Sequence, residues 1–219
     1  MSRLLVPIVA ANAVGAIWGE TAGVRILKNA TKVRGVKIVG CAEADDIPRG
    51  TLDRKIWRTI HRPHHVEKDG CLLALRRDSV KVIGRPKWIK LCDGVRPSRG
   101  DKGMNARWML LVRVRYVGTG VTEVLAVVHF APDRYMDRQE DCVRRTRQVA
   151  PDLFLGDTNM GASEMRRAFP EYSVRTVEVM NVASRRVSAR GSGAVLLPAR
   201  SVRIGSDHPG NRTTRRFDL

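Results

Sequence analysis

Phe, Trp and Tyr together make up only 5% of the 219 residues, too few for a sugar-binding or base-stacking surface to be the dominant feature. No stretch approaches the roughly 18 uninterrupted apolar residues that a membrane span needs, so no membrane partner is expected. The short apolar run of MSRLLVPIVAANAVG reads better as a first strand than as a discarded leader. Cysteine is sparse: Cys41, Cys71, Cys92 and Cys142 form no CxxC pair and no zinc-ribbon spacing. Four free thiols in a reducing compartment, hence a cytoplasmic location, is the economical reading. Internal repeats and low-complexity linkers are absent, which leaves residues 1–219 as a single domain.

Acidic residues are also short. Against 40 Lys and Arg stand 22 Asp and Glu, a formal charge of +18 at pH 7. That exceeds what solubility asks of a small domain and favours a polyanionic partner. Apolar residues make up 43% of the chain, ample for a sizeable core.

Short apolar runs bounded by turn residues recur along the chain. LLVPIVAA (4–11) and VKIVGCAEA (36–44) read as buried strands, with a helical ETAGVRILKNATKV between them. LDRKIWRTIH predicts a short helix that must end by Pro63. CLLALRRDSVKVIG predicts a hairpin turning at RRDS, and 84–107 a long, partly irregular connection. WMLLVRVRYV and VTEVLAVVHFAP around GTG predict a second hairpin, whose alternation puts Arg113 and Arg115 opposite Val112, Val114 and Tyr116. DRQEDCVRRTRQVA (137–150) predicts a helix with Asp137 as N-cap. DLFLG then reads as a strand, MRRAF as helix, and GAVLLPARSVRIG as two short strands around Pro198.

Polar residues with chemical potential fall at one recurring place, just after apolar runs. Asn12 follows IVAA, Glu43 follows VKIVGCA and His129 follows EVLAVV; Asp157 and Asn159 follow DLFLG, and Asp207 and His208 follow VRIGS. One such residue is ordinarily a turn former. Five runs that each end this way suggest strand ends opening on one crevice. Glu43, Asp157, Asp207 and Asn12 offer the oxygen ligands a hard cation takes, and on a basic protein Mg²⁺ set against a phosphate is the natural pairing.

At these residues the sequence resembles the endonuclease/exonuclease/phosphatase superfamily, with its pancreatic-deoxyribonuclease-like fold. IVAANAVG matches the opening strand with a metal-site Asn, and IVGCAEAD the strand ending in a cation-binding Glu. AVVHFAP matches the strand carrying a His, followed by a helix with an Arg–Gln pair, here Arg138 and Gln139. The family's Gly-Asp-x-Asn stands as GDTN and its closing Ser-Asp-His as SDHP, so the motifs span residues 12–208 in the family's order.

The resemblance implies an α/β four-layered sandwich of two mixed β-sheets flanked by helices. It also implies phosphoester hydrolysis dependent on Mg²⁺ or Mn²⁺. By the same resemblance Glu43 is the main cation ligand with Asn12 beside it, His208 the general base, and Asp157 the group that positions or activates water. Asn159 and His129 hold the transferring phosphate, and Asp207 supports the metal site or orients its neighbour. One departure stands out: the acid that usually precedes Ser-Asp-His is missing, with no Asp or Glu between Glu178 and Asp207 and Ser192 the nearest polar stand-in. A His without its orienting carboxylate is a poorer base.

Family membership names no substrate, but the charge points to a nucleic-acid backbone, DNA before RNA. The expected contacts lie on loops: Arg62 and His64 in IHRPHH, Lys87 and Arg99 within 85–102, and Arg212 and Arg215 in NRTTRR. Trp88 can either stack on a base or pack its segment onto the core. The expected protein is a metal-dependent DNA endonuclease or exonuclease, a monomer by default. The alternatives are an inactive nucleic-acid-binding module of the same fold, a phosphatase acting on another phosphoester, or an assembly protein.

Overall fold

The structure, a computed structural model, describes residues 3–13, 20–44, 47–61, 70–178, 180–185, 195–196, 198, 200–202 and 210–218. In chain order the described elements begin with β1 (Arg3–Asn12), α1 (Glu20–Lys32), β2 (Ile38–Ala42), β3 (Trp57–His61), β4 (Leu72–Arg76), β5 (Val80–Val82), β6 (Lys87–Cys92), β7 (Arg107–Tyr116) and β8 (Thr122–His129). They continue with α2 (Met136–Val149), β9 (Leu153–Asp157), α3 (Ala162–Ala168), β10 (Tyr172–Val177), β11 (Met180–Arg185), β12 (Val195–Leu196), β13 (Arg200–Val202) and β14 (Gly210–Asp218).

The strands form two seven-stranded sheets. One runs β12-β14-β1-β2-β4-β3 with β13 also on β14; the other runs β10-β11-β9-β8-β7-β5 with β6 also on β7. Both are antiparallel except at one place. β1 pairs in parallel with β2, and β8 with β9. A parallel pair needs a crossover, and α1 and α2 supply the two. Each sheet therefore has the same centre, a strand–helix–strand unit whose two strands end side by side.

Packing explains why these strands read as continuous apolar runs. Ile8, Ile38, Leu73, Val112, Leu125, Val127 and Leu155 meet between the sheets. Their neighbours Val9, Val39 and Cys41 face outward onto Ile26 and Leu27 of α1. Ala126, Val128 and Phe154 face outward onto Cys142 of α2 and Met165 of α3. Strands buried on both faces have no polar side to alternate with. The result is the expected order of helix, sheet, sheet and helix. The sheets approach closely at Gly40, where a Cβ would lie 2.6 Å from Leu155 Cδ1. All four cysteines are buried free thiols. Among the described residues no helix is long and apolar enough to cross a membrane.

The N-terminal apolar run is the central strand β1, the β7–β8 hairpin forms as expected, and Arg113 and Arg115 are exposed while Val112, Val114 and Tyr116 are buried. Three local expectations fail. LDRKIWRTIH is not helical, because Trp57–His61 pairs along β4 as an edge strand. The RRDS turn joins no hairpin, since β4 and β5 belong to different sheets. The 84–107 stretch is partly irregular as expected: Lys87–Cys92 pairs with β7, and Trp88 packs against the core between the sheets. Asp137 lies in the first turn of α2, whose N-cap is Tyr135. The last strand, β14, lies between β1 and β12 although its sequence, GNRTTRRFD, carries no apolar run.

Candidate active site

Strand periodicity builds the site. On β1 the side chains facing the second sheet are Val6, Ile8 and Ala10, and the next position on that face is Asn12. On β8 the series Leu125, Val127 is followed by His129, and on β9 Leu153, Leu155 by Asp157. His129 and Asp157 are register partners across the parallel pair, as Asn12 and Ala42 are in the other sheet. The two parallel pairs thus deliver an amide, an imidazole and a carboxylate to one place between the sheets. Glu43 follows Ala42 in a left-handed conformation (φ 50°) that turns the chain at the strand end.

The side chains touch. Asn12 Nδ2 donates to Asp157 Oδ2 at 3.0 Å and reaches Glu43 Oε1 at 3.4 Å. His129 Nε2 lies 3.5 Å from the same Glu43 oxygen. Asn12, His129 and Asp157 are buried, whereas the Glu43 side chain keeps 24% of its surface open to solvent. The two carboxylates, and the Asn12 carboxamide through its oxygen, are hard donors of the type that fits Mg²⁺ or Mn²⁺, while here the amide nitrogen faces both carboxylates. Among the described residues no three His, Cys, Asp or Glu side chains form a ready-made metal cluster.

A surrounding layer fixes these groups. Asp157 Oδ1 accepts the Asn159 main-chain N–H at 2.9 Å, which directs Oδ2 toward Asn12. Asn159, itself left-handed (φ 51°), donates from Nδ2 to Phe130 O at 2.9 Å. Gln139 Nε2 bridges Ala131 O and Asn159 O, both at 3.2 Å, tying α2 to the two loops. Of the Arg138–Gln139 pair, Gln139 thus acts as a clamp, while Arg138 lies 3.6 Å from Asp141 on the helix surface.

Arg107 is the group that sequence reasoning missed. Its Nη1 lies 3.0 Å from His129 Nδ1, and its side chain is buried. An arginine can only donate, so Nδ1 accepts and the imidazole carries its proton on Nε2, the nitrogen facing Glu43. Burial first, and the Arg107 charge second, hold His129 well below the ordinary histidine value of 6.5. His129 is therefore a neutral hydrogen-bond donor at physiological pH. Burial pulls Arg107 down from its usual value, and the Glu43 and Asp157 charges oppose this. Arg107 opens β7, which runs antiparallel to β8, so a strand's first residue lies beside another's last. A search confined to the ends of apolar runs passes over it.

The structure places the remaining expected residues unevenly. Asp207, His208, Arg62 and His64 lie outside the described residues. Arg99 is exposed on the β6–β7 connection, which leaves and re-enters the sheet at the Cys92–Arg107 pair, the site end. Lys87 is not on a loop but in β6 opposite Leu111, five residues from Cys92, or about 17 Å at strand rise. Arg212 and Arg215 are likewise not loop residues, since they pair with Val9 and Val6 inside the first sheet. The Arg212 guanidinium bonds Arg34 O at 3.1 Å, beyond the C-terminus of α1 and away from the site.

Two histidines, one buried and one half-buried, make stability depend on pH. His61 is lowered to about 4 by burial first, with the Arg49 charge adding to this and a hydrogen bond to the Ala44 main chain opposing it. Both His61 and His129 are neutral in the folded protein at pH 7, and the unfolded chain takes up their protons as pH falls through 6.5. Their contribution is thus complete above 6.5 and is lost on acidification toward about 4. The urea midpoint is expected to drop between about pH 7.5 and about pH 5, and His61→Gln to flatten that drop. An unchanged midpoint would show that these imidazoles titrate normally.

Two mixed sheets face to face between helices define an α/β four-layered sandwich, with an amide, an imidazole and two carboxylates gathered where the central strands end. The fold is that of the endonuclease/exonuclease/phosphatase superfamily, as the sequence resemblance implies. A family protein of that name from Bacteroides thetaiotaomicron superposes with a TM-score of 0.74 at 11% identity, covering 100% of both chains. D. rerio TDP2, complexed with single-strand DNA product, gives 0.71 at 14% identity over 98% of this chain and 99% of its own. The mannosyl-6-phosphatase Bt3783 of Bacteroides thetaiotaomicron gives 0.74 at 10% identity over 96% and 99%. At such identities the likeness is one of fold. No protein-family profile and no curated protein matches the sequence.

Proposed function

We propose that this chain is a phosphoester hydrolase that depends on a divalent cation and cleaves a nucleic-acid backbone, DNA foremost. The observation that carries the reading is the convergence of Asn12, Glu43, His129 and Asp157 from four central strands onto contacts of 3.0 to 3.5 Å. In it Glu43, the Asn12 carboxamide oxygen and Asp207 would hold Mg²⁺ or Mn²⁺, and the bound cation would polarise the phosphoryl group and offset charge at the leaving oxygen.

The chain's own residues divide the remaining work. His129, kept neutral and fixed by Arg107, donates from Nε2 to a phosphoryl oxygen as charge builds there. Asn159 spends one amide hydrogen on Phe130 O and keeps the other for the phosphate. Asp157 orients the attacking water. His208 takes the proton; it lies two residues before β14, whose Asn211 pairs with Ala10 beside the Asn12 end of β1. The charge of +18 favours a polyanion over a small neutral-flanked phosphoester.

A second reading, a nucleic-acid-binding module without catalysis, is favoured by one observation, the absence of any acid between Glu178 and Asp207. Supercoiled plasmid and short single- and double-stranded DNA, incubated with Mg²⁺, Mn²⁺ or EDTA, separate the two. Cation-dependent cleavage is expected. Retardation of intact DNA under every cation would overturn the hydrolase and leave the module.

A further inference from the structure

A second concave, basic site lies along β3, the edge strand of the first sheet. It encloses about 580 Å³ lined by Arg49, Arg54, Arg58, Arg77 and His61 over Trp57, with no carboxylate among the described residues of its lining. Among the described residues none of the four guanidinium groups meets a carboxylate, although other surface arginines such as Arg76, Arg138, Arg144 and Arg147 do. Four like charges held around one concavity repel one another, a cost that an anionic ligand would relieve. Their closeness registers on His61, whose proton affinity the Arg49 charge lowers further beyond the effect of burial.

Strand register ties this pocket to the active site. Cys41 of β2 pairs with Leu72 of β4, which pairs with His61 of β3, so the three residues form one row. β2 and β3 both run antiparallel to β4, and their C-terminal ends therefore lie at the same end of the sheet. His61 thus stands two strands away from β2, the strand that leads into Glu43, about 10 Å. The segment leaving Glu43 enters the pocket wall at Pro48 and Arg49. Within this wall the fold is specific: Arg77 Nε donates to Arg54 O at 2.7 Å, fixing the 48–56 segment against the β4–β5 turn.

We infer that the Arg49–Arg54–Arg58–Arg77 pocket is a phosphate subsite that holds the backbone of a nucleic-acid strand a short distance from the scissile phosphate. The inference rests on the hydrolase reading for the identity of the strand, but binding tests it without cleavage. Arg49 and Arg54 are exposed, and their side chains can be changed without opening the core.

The experiment measures affinity of a fluorescent single-stranded oligonucleotide by anisotropy, in EDTA, across a salt series. Arg49→Gln/Arg54→Gln is compared with wild type and with the charge-matched control Arg144→Gln/Arg145→Gln on the exposed face of α2. Loss of two phosphate contacts is expected to raise Kd about tenfold at moderate salt and to shrink the slope of log K against log salt by about 1.4, since each contact on a single strand contributes about 0.7. The control is expected to stay within about twofold. A circular dichroism melt matching wild type shows that the variant is folded, and Arg58→Gln is the fallback if it does not. Equal losses in both double variants would reduce the pocket to one part of a diffuse field and overturn the inference. So would calorimetric binding of inorganic phosphate that depends on Arg49 and Arg54 while oligonucleotide affinity does not, because the pocket would then serve a free anion. If DNA is bound but never cut, the hydrolase reading fails while the subsite stands or falls on the slope alone.

Discussion

Glu43→Gln is expected to lower cation-dependent DNA cleavage by a factor of about 100 to 1,000, the scale on which one charge-stabilising group in a site contributes. The substitution keeps the shape of the side chain and one amide oxygen, so Asn12 and His129 retain a partner for the contacts now at 3.4 and 3.5 Å. What it removes is a full negative charge, which a cation set against phosphate needs most. Binding of DNA in EDTA is expected to stay within about threefold or to tighten, because the lost charge opposes a polyanion. Stability is expected to hold as well. Glu43 and Asp157 reach the same Asn12 amide, and relieving their mutual repulsion offsets the loss of a partner for Arg107. A thermal midpoint at or above wild type together with lost cleavage is the signature of a group kept for chemistry at some expense to the fold. A variant that cleaves at more than about a tenth of the wild-type rate would remove Glu43 from the centre of the mechanism.

The central strands and the Asn12–Glu43–His129–Asp157 cluster were legible in the sequence for one reason. A strand buried on both faces must be apolar throughout, so the first polar side chain after it stands out, and in β1, β8 and β9 that residue falls on the face between the sheets. Edge and outer strands give no such signal. β3 reads W-R-T-I-H, with basic residues at a spacing that also suits a helix face, and only its pairing with β4 decides between them. β14 carries Arg212, Arg215 and Arg216, which suggest a solvated loop, yet main-chain bonding to β1 from Arg3 to Ala10 makes it an interior strand. CLLALRRDSVKVIG obeys hairpin grammar and still separates into two sheets, because β5 pairs with the residues 114–116 end of β7 and not with β4. Local pattern cannot see a partner that distant. The same limit hid Arg107, whose meaning depends on an antiparallel neighbour 22 residues away in sequence.

Gly156→Ala is expected to be the most damaging single methyl in the molecule. Gly156 sits inside β9 opposite Val128 with φ at 142°, a backbone conformation that residues with a Cβ rarely adopt. A Cβ there would lie 2.0 Å from Val128 O and 3.1 Å from Val128 C and N, all main-chain atoms of the neighbouring strand. Neither side can yield cheaply: Val128 is held by its own ladder, and Leu155 on the other side of the glycine is locked between the sheets against Gly40. Strained backbone and a core clash together place the cost at about 4 kcal/mol or more. For a domain of this size that is a fall of about 8–16 °C in the midpoint, measured by calorimetry or by circular dichroism. A midpoint within about 2 °C of wild type would show that the β8–β9 pair has slack that the geometry denies. The glycine of GDTN thus earns its place by backbone packing, and the chemistry assigned to the motif depends on it indirectly. Only with a bare Cα at Gly156 can β9 lie close enough to β8 for Asp157 to stand beside His129, where the two sheets hand their last side chains to each other.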